Sequence, residues 1–231
     1  MSNFEKKTMA AKHALKFIRD GMVIGLGSGS TVAIFIKLLG ERVREEGLNI
    51  IGIPTSYDVE ILAYKNGLKI ASLNEYPFPD IAIDGADEVD PNKNLIKGGG
   101  GALTREKIVD YASKKLIIIV DDSKLVKRLC SRRPIPIEVL SFSWRNIIYR
   151  LNKIGGRAEL RYTDKGKVGP VVTDNGNFII DYMPNPDLLK DIRKLDIDLK
   201  LIPGVVETGI FYGEMVYKVI IGYRNGVSIQ D

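Results

Sequence analysis

The stretch MVIGLGSGST, Met22 to Thr31, decides the fold class. Its first half is a short apolar run, which is typical of a buried strand, and its second half alternates glycines with hydroxyl residues. The apolar residues that follow recur at helical spacing as far as Gly47. A strand that passes through a glycine turn into a helix is the opening unit of a parallel α/β sheet.

The same alternation of strand and helix continues on both sides of this stretch. Residues 3–20 carry apolar side chains at helical spacing and predict a first helix. NIIGIPTS, PDIAIDGADEVD and LIIIVDD predict further strands, and YDVEILAYKNG and LTREKIVDYASKK predict helices between them. Because strands alternate with helices, we expect an α/β fold with a doubly wound, mostly parallel sheet.

From about residue 127 the pattern changes to strand, helix, two strands, helix and strand. This order resembles a ferredoxin-like unit, which is a small α+β fold. RPIPIEVLSFS, residues 133–143, contains two prolines and therefore favours a strand at a sheet edge. The pair Asn175-Gly176 predicts a tight hairpin turn.

The chain has 231 residues, enough for one large domain and a smaller one. The tail from residue 204 is rich in strand patterns, and we expect it to return to the first sheet. The predicted domains are therefore residues 1–126 with 204–231, and an inserted α+β domain of residues 127–203.

Composition excludes several classes of protein. The chain carries 34 basic and 29 acidic residues, a net charge of +5, and the basic residues are spread along it, which predicts a solvated surface rather than a nucleic-acid-binding arm. No apolar run reaches the ~18 residues of a bilayer span, and the N-terminus lacks a secretory core. The single cysteine, Cys130, excludes an intrachain disulfide and fits a reducing compartment. We expect a cytoplasmic protein with no nucleic-acid or membrane partner.

The glycine turn, Gly25 to Thr31, is the first candidate site. It lies where a helix begins, and the free N–H groups there attract anions such as phosphate. Ser30 occupies the last glycine position of a dinucleotide fingerprint, and the second strand ends in PTSY rather than in an acidic residue. This argues against NAD, and leaves a phosphate site and a turn without a ligand as alternatives.

The acidic stretch DGADEVD is the second candidate. Asp84 lies at the carboxyl end of a predicted strand, where ligands bind in open α/β sheets, and Asp87, Glu88 and Asp90 follow it. Carboxylates are ligands for Mg²⁺, and they also bind sugar hydroxyls or move protons. A solvated acidic turn is the third alternative.

The stretch KGGGGALTREK, Lys97 to Lys107, is the third candidate. Four consecutive glycines are costly to order, but their amides are able to line a site for a developing oxyanion. Lys97 supplies a cation, and Glu106 lies in the first turn of a predicted helix, where it serves either as a capping residue or as a base. A carboxylate base beside a cation and amides is what proton abstraction next to a carbonyl requires.

Lys124 in DDSK follows a buried strand and is a candidate phosphate partner, or a surface lysine. The single histidine, His13, lies in the first predicted helix, which argues against catalysis by a histidine base. Cys130 lies near Arg132 and Arg133, which would lower the pKa of its thiol, but we expect an inert, partly buried thiol.

Taken in order, GLGSGST, DGADEVD, KGGGGALTREK, DDSK, GPVVTDNGNFIID and PGVVETGIF resemble the motifs of the type A ribose-5-phosphate isomerases over nearly the whole chain. The resemblance implies a Rossmann-like domain with a smaller α+β domain. It implies interconversion of D-ribose 5-phosphate and D-ribulose 5-phosphate through an enediolate, without a cofactor or a metal, in the non-oxidative pentose phosphate pathway. It also implies a homodimer or homotetramer.

The resemblance assigns roles to single residues. Glu106 is then the base that carries the proton between C2 and C1, and Lys97 stabilises the developing negative charge. Asp84 and Asp87 bind hydroxyls and assist ring opening. The other substrate-binding residues that it implies are Ser28, Gly29, Ser30, Thr31, Gly85, Ala86, Gly98, Gly99, Gly100 and Lys124. Ser28 stands where the family usually has threonine, which preserves the hydroxyl.

Two rivals come from other classes of protein. Sugar-sensing domains of some transcription regulators resemble this fold, but the first strand begins near residue 22, which leaves no room for a helix-turn-helix ahead of it. The presence of both Lys97 and Glu106 also favours an enzyme. A coenzyme A transferase is the weaker rival.

Overall fold

The computed structural model describes residues 2–163 and 168–231. The chain forms two compact units, of which the first comprises Met1–Ala86, Arg105–Leu125 and Gly213–Asp231, and the second Asp87–Thr104 and Val126–Tyr212. Strands and helices are numbered below along the whole chain. Within the described ranges, every helix is too short or too polar to cross a membrane.

The first unit is built on a seven-stranded sheet with the strand order β16-β15-β7-β4-β1-β2-β3. All neighbouring strands are parallel except β16, which pairs antiparallel with β15. The strands are β1 (Val23–Leu26), β2 (Ile51–Pro54), β3 (Lys69–Ile70), β4 (Ile81–Asp84), β7 (Leu116–Asp121), β15 (Val216–Tyr223) and β16 (Gly226–Gln230). This sheet confirms the predicted doubly wound, mostly parallel architecture.

Four α-helices belong wholly or mainly to the first unit. They are α1 (Asn3–Ala14), α2 (Ser30–Glu46), α3 (Tyr57–Lys65) and α4 (Leu103–Ala112). Helix α2 begins after Gly29, which has a φ of +103°, and ends at Gly47 in the left-handed region, as its sequence pattern predicts. The core of this unit lies between α1, α2, α3 and one face of the sheet, where every residue from Leu116 to Asp121 of β7 is buried.

The second unit contains a four-stranded antiparallel sheet with the strand order β13-β8-β12-β9. Two helices, α5 (Trp144–Gly155) and α6 (Ile192–Lys200), pack on its apolar face. The strands are β8 (Ile135–Val139), β9 (Gly156–Leu160), β12 (Phe178–Pro184) and β13 (Val205–Thr208). Strand, helix, two strands, helix and strand in this order confirm the predicted ferredoxin-like unit.

Two small sheets complete the second unit. One pairs β5 with β6 and β6 with β14, and the other pairs β10 with β11. Their strands are β5 (Glu88–Val89), β6 (Leu95–Ile96), β10 (Tyr162–Thr163), β11 (Gly169–Pro170) and β14 (Ile210–Phe211). The predicted hairpin turn is confirmed at Gly176, which has a φ of +79° and donates its N–H to the carbonyl of Thr173 at 2.9 Å.

The expectation that RPIPIEVLSFS forms an edge strand is wrong. β8 lies between β13 and β12, inside the sheet. Pro136 is tolerated there because the pairing of β8 with β13 ends at Ile137. The carbonyl of Pro136 accepts the N–H of Gly209 at 2.7 Å beyond that end, so the missing proline N–H falls where the ladder has already stopped.

The tail from residue 204 divides between the sheets. β13 pairs with β8 in the four-stranded sheet, and only β15 and β16 join the seven-stranded sheet as expected. The segments 87–104 and 204–212 pack with the second unit, whereas the sequence pattern grouped them with the first. The domain division taken from the sequence therefore stays a prediction.

Candidate active site

The first unit offers a ligand position at the carboxyl ends of its parallel strands. The chain runs outward from β1 through β2 to β3, and then outward in the other direction from β4 through β7. β1 and β4 are neighbours at the point where this direction reverses. Ligands bind at such switch points in open α/β sheets, because the loops after the two strands diverge there.

Asp84, the last residue of β4, packs directly under the glycine turn that follows β1. Its Oδ1 accepts the N–H of Ser28 at 3.1 Å and that of Gly85 at 2.6 Å, and the side chain is fully buried. A Cβ on Gly27 would lie 2.0 Å from the Asp84 Cγ, so only glycine permits this approach. Gly27 and Asp84 therefore pack directly against each other, although they are 57 positions apart in sequence.

The Ser28 side chain belongs to a cluster of three hydroxyls. Its Oγ lies 2.9 Å from the Oγ1 of Thr55 and 3.1 Å from the Oγ of Ser56, both at the end of β2. Ser56 also accepts the N–H of Val59 and caps α3. The sequence analysis used PTSY only to argue against NAD, and it missed this cluster.

One lysine contacts the beginning of α2, and another follows the end of β7. Lys7 of α1 donates from its Nζ to the Oγ of Ser30, the first residue of α2, at 2.8 Å. Lys124 is half-buried in a 3₁₀ turn, Asp122–Lys124, that follows β7. A helix N-terminus with an adjacent lysine attracts anions. The sequence analysis missed Lys7, because the contact joins two separate helices whose packing no local pattern shows.

The second unit holds Asp87 and Lys97. The Asp87 Oδ2 accepts the N–H of Gly99 at 2.7 Å, which ties the acidic stretch to the glycine loop. Lys97 is only 2% exposed, and its Nζ lies 5.2 Å from the ring centroid of Phe211, within the range of a cation–π interaction. Burial of a lysine is costly, so a buried lysine at this position points to a role in chemistry or binding.

The carbonyls of the glycine loop are held by Arg161, a residue that the sequence analysis missed. Its Nη1 donates to the carbonyls of Gly98 at 2.8 Å and Gly99 at 3.1 Å. Its Nε also donates to Asp181 of β12 at 2.8 Å, which fixes the guanidinium. Gly98 and Gly101 have φ values of +102° and +83°, which explains the need for glycine at these two positions.

Glu106 lies in the first turn of α4, and its side chain is 4% exposed. An exposed glutamate near a helix N-terminus is explained by capping alone, but a buried carboxylate is not. Of the remaining residues that the sequence singled out, Thr31 is buried in the first turn of α2, and Gly85 and Ala86 follow Asp84 directly.

The alternative chemistries find less support. Within the parts of the chain that the structure describes, no three His, Cys, Asp or Glu side chains are grouped so as to hold a metal ion. Burial raises the pKa of the Cys130 thiol to about 12, and the nearby Glu88 adds to this effect, so the inert-thiol interpretation is favoured. Burial and the charge of Lys16 lower the pKa of His13 in α1.

Comparison with known proteins places these features in a family. Residues 51–226 match the model of the family described as ribose 5-phosphate isomerase A, or phosphoriboisomerase A. A ribose-5-phosphate isomerase A from Pyrococcus horikoshii is 53% identical over 226 residues, which cover 97% of this chain and 96% of the relative. One from Archaeoglobus fulgidus is 52% identical over 216 residues, 94% of each chain.

Solved structures agree with these relatives over the whole chain. The ribose 5-phosphate isomerase A of Methanocaldococcus jannaschii superposes with a TM-score of 0.94 at 49% identity, and covers 100% of both chains. A D-ribose-5-phosphate isomerase in complex with phospho-erythronic acid superposes with a TM-score of 0.93 at 50% identity, again over 100% of both chains.

The fold, the candidate site and these relatives together define an α/β isomerase that acts on a phosphorylated sugar. The chain belongs to the ribose-5-phosphate isomerase A family, which confirms the resemblance seen in the sequence motifs. It is an enzyme, an isomerase of that family.

Proposed function

We propose that the chain isomerises D-ribose 5-phosphate through an enediolate, with Glu106 as the base and Lys97 as the cation that stabilises the intermediate. The observation that carries this proposal is the burial of both charged side chains, 4% and 2% exposed, in one glycine loop and the helix that follows it. Burying charge costs free energy, and active sites are where proteins accept that cost.

The reaction requires the open-chain aldehyde. Asp84 and Asp87 bind sugar hydroxyls, and one of them takes the proton of the O1 hydroxyl and delivers it to the ring oxygen O4 as the C1–O4 bond breaks. Both are held by backbone N–H groups, Asp84 by Ser28 and Gly85, and Asp87 by Gly99. These hydrogen bonds fix the direction in which each carboxylate presents its second oxygen.

The Glu106 carboxylate then removes the proton from C2, and the electron pair moves to give an enediolate with its charge on O1. Lys97 stabilises that charge. The protonated Glu106 returns the proton to C1, while a proton moves from O2 to O1 as the C2 carbonyl forms. One proton has moved between carbons and one between oxygens, so no oxidant, reductant or metal enters the balance.

The phosphate is the group that we assign to the beginning of α2. Gly29, Ser30 and Thr31 supply amides and hydroxyls there, and Lys7 and Lys124 supply positive charge. The related isomerase that binds phospho-erythronic acid supports a substrate of this kind, since that ligand combines a phosphate, hydroxyls and a carboxylate that resembles an enediolate.

We also propose that the enzyme is a homodimer or homotetramer in the cytoplasm. Large apolar side chains on the first unit are strongly exposed in the single chain, which favours a partner surface. Among these are Tyr64, Phe78 and Tyr111, at 76%, 72% and 80% exposure. A single cysteine, which allows no intrachain disulfide, fits a reducing compartment.

The test of the base is Glu106→Gln. Glutamine keeps the shape and is able to hydrogen bond, but it cannot accept the C2 proton, so we expect kcat to fall by roughly 10²–10⁴-fold or more with an unchanged melting temperature. The measurement is ribulose 5-phosphate formation in a coupled assay, beside circular dichroism. Glu41→Gln, at an exposed position of α2, is the control and should be fully active. Near-normal turnover of Glu106→Gln would refute the assignment.

A further inference from the structure

The carboxyl group of Glu138, in β8, is fully buried and accepts four side-chain hydrogen bonds from described residues. Pro136 and Glu138 share the face of the four-stranded sheet opposite to Ile135, Ile137 and Val139, which pack in the apolar core. The donors are Thr104 Oγ1 at 2.5 Å, Thr173 Oγ1 at 2.9 Å, Asn175 Nδ2 at 3.0 Å and Asn177 Nδ2 at 2.8 Å.

The two oxygens of Glu138 have different partners. Oε1 accepts from Thr173, Asn175 and Asn177, which belong to the turn formed by TDNGN, a motif to which the proposed mechanism gives no role. Oε2 accepts, among the described residues, from Thr104 at the second residue of α4. The turn therefore fixes the carboxylate, and the carboxylate fixes the beginning of the helix. Networks of this kind are stiff, since a buried carboxylate that loses a donor is costly.

Thr104 stands two residues before Glu106 on the same helix. A helix rises about 1.5 Å per residue, so the two backbone positions are roughly 3 Å apart along its axis. The first turn has the fewest hydrogen bonds of its own, because its N–H groups have no partner in the preceding turn. Whatever holds Thr104 therefore helps to orient the first turn of α4, which carries Glu106.

We propose that Glu138, acting through Thr104, is a positioning residue for the base Glu106, an inference that rests on the proposed role of Glu106. A misplacement of about 1 Å costs on the order of 100-fold in rate, so a change in the anchor should appear in kcat. Ground-state binding of the substrate should change little, because Thr104 and Glu138 are not among the proposed substrate-binding residues.

The test compares two threonines that donate to the same carboxylate. Thr104→Val removes the hydroxyl next to the base, and Thr173→Val removes one of the three donors on the far oxygen. Valine is nearly isosteric with threonine, and at Thr104 in α4 it also has similar helix propensity, so both variants should fold, with melting temperatures lowered by roughly a few degrees. Thr104→Ser retains the hydroxyl and is the rescue variant.

For Thr104→Val we expect kcat to fall by roughly 10- to 100-fold with KM within about twofold, and a larger deuterium isotope effect on C2-deuterated ribose 5-phosphate. Thr104→Ser should recover most of kcat, and Thr173→Val should keep kcat within about twofold. A merely unstable variant would have fewer active molecules but an unchanged isotope effect.

The proposal is overturned if Thr104→Val keeps wild-type kcat, or if both valine variants lose kcat equally with no change in isotope effect. Glu106→Gln is measured in the same series. If it stays active, the proposed base is wrong; if it is inactive while Thr104→Val is normal, only the positioning role is wrong.

Discussion

Single residues decide where the polar groups of this enzyme can lie. The absence of a side chain at Gly27 lets Asp84 come under the turn after β1, and the left-handed backbone of Gly98 and Gly101 lets the loop present its carbonyls to Arg161. Motif reading singled out the glycines and the aspartate correctly as neighbours of a candidate site. It could not find Arg161, because nothing near this arginine in sequence points to the loop.

Lys124→Ala is the prediction that tests the phosphate position at this scale. A phosphate far from the reacting carbons is bound similarly in the ground and transition states. The loss of a protein contact to it should therefore raise KM more than it lowers kcat. One charge-assisted hydrogen bond contributes about 1.5–3 kcal/mol, which is roughly tenfold to a hundredfold in affinity. The measurement is steady-state kinetics on ribose 5-phosphate and on free ribose.

Free ribose is the internal control, because it has no phosphate for Lys124 to bind. Its weak turnover should respond little to Lys124→Ala. An equal proportional loss with both sugars would show that Lys124 does not act through the phosphate.

At the scale of elements, the polar residues of the candidate site lie at the ends of strands and the beginnings of helices. β1, β2, β4 and β7 end at one edge of a parallel sheet, so their following residues converge there whatever their separation in sequence. The pattern of strands and helices predicted this edge. It did not predict that α1 would bring Lys7 to Ser30, since helix packing depends on side chains of both helices.

Gly40→Ala tests the packing of α2 against α3. A Cβ at Gly40 would lie 2.4 Å from the carbonyl oxygen of Asn66, which caps α3 and accepts a hydrogen bond from Arg44. Alanine should gain up to about 1 kcal/mol of helix propensity, but overpacking typically costs about 1–3 kcal/mol. We expect a net loss of stability, and a fall of several degrees in the thermal midpoint.

The matched control is Lys37→Ala, at an exposed position of the same helix, which should change the free energy of unfolding by less than about 0.5 kcal/mol. A Gly40→Ala variant as stable as the wild type would show that the two helices separate easily.

At the scale of the whole molecule, exposed aromatic side chains point to self-association. If the enzyme is a homodimer or homotetramer, light scattering after gel filtration should give two or four times the chain mass of 25.7 kDa. A dilution series is the control, since a specific oligomer keeps its mass until the concentration approaches its dissociation constant. A monomer mass at every concentration would contradict the proposal.

The sequence by itself determined the family, the parallel sheet and the ferredoxin-like unit. These follow from local periodicity and from short motifs in which neighbouring residues act together. The same local signal failed at RPIPIEVLSFS. A proline excludes a strand from the inside of a sheet only where neighbouring strands pair with it on both sides. Here the pairing of β8 with β13 stops at Thr208, opposite Ile137.

Only the tertiary structure decided which distant side chains meet. The hydroxyls of Ser28, Thr55 and Ser56 come together because β1 and β2 are neighbours in one register. Glu138 accepts a hydrogen bond from Thr104 because residues 87–104 pack with the second unit. The physical reason is that buried polar groups must satisfy their hydrogen bonds, and their partners are chosen by packing in three dimensions rather than by proximity along the chain.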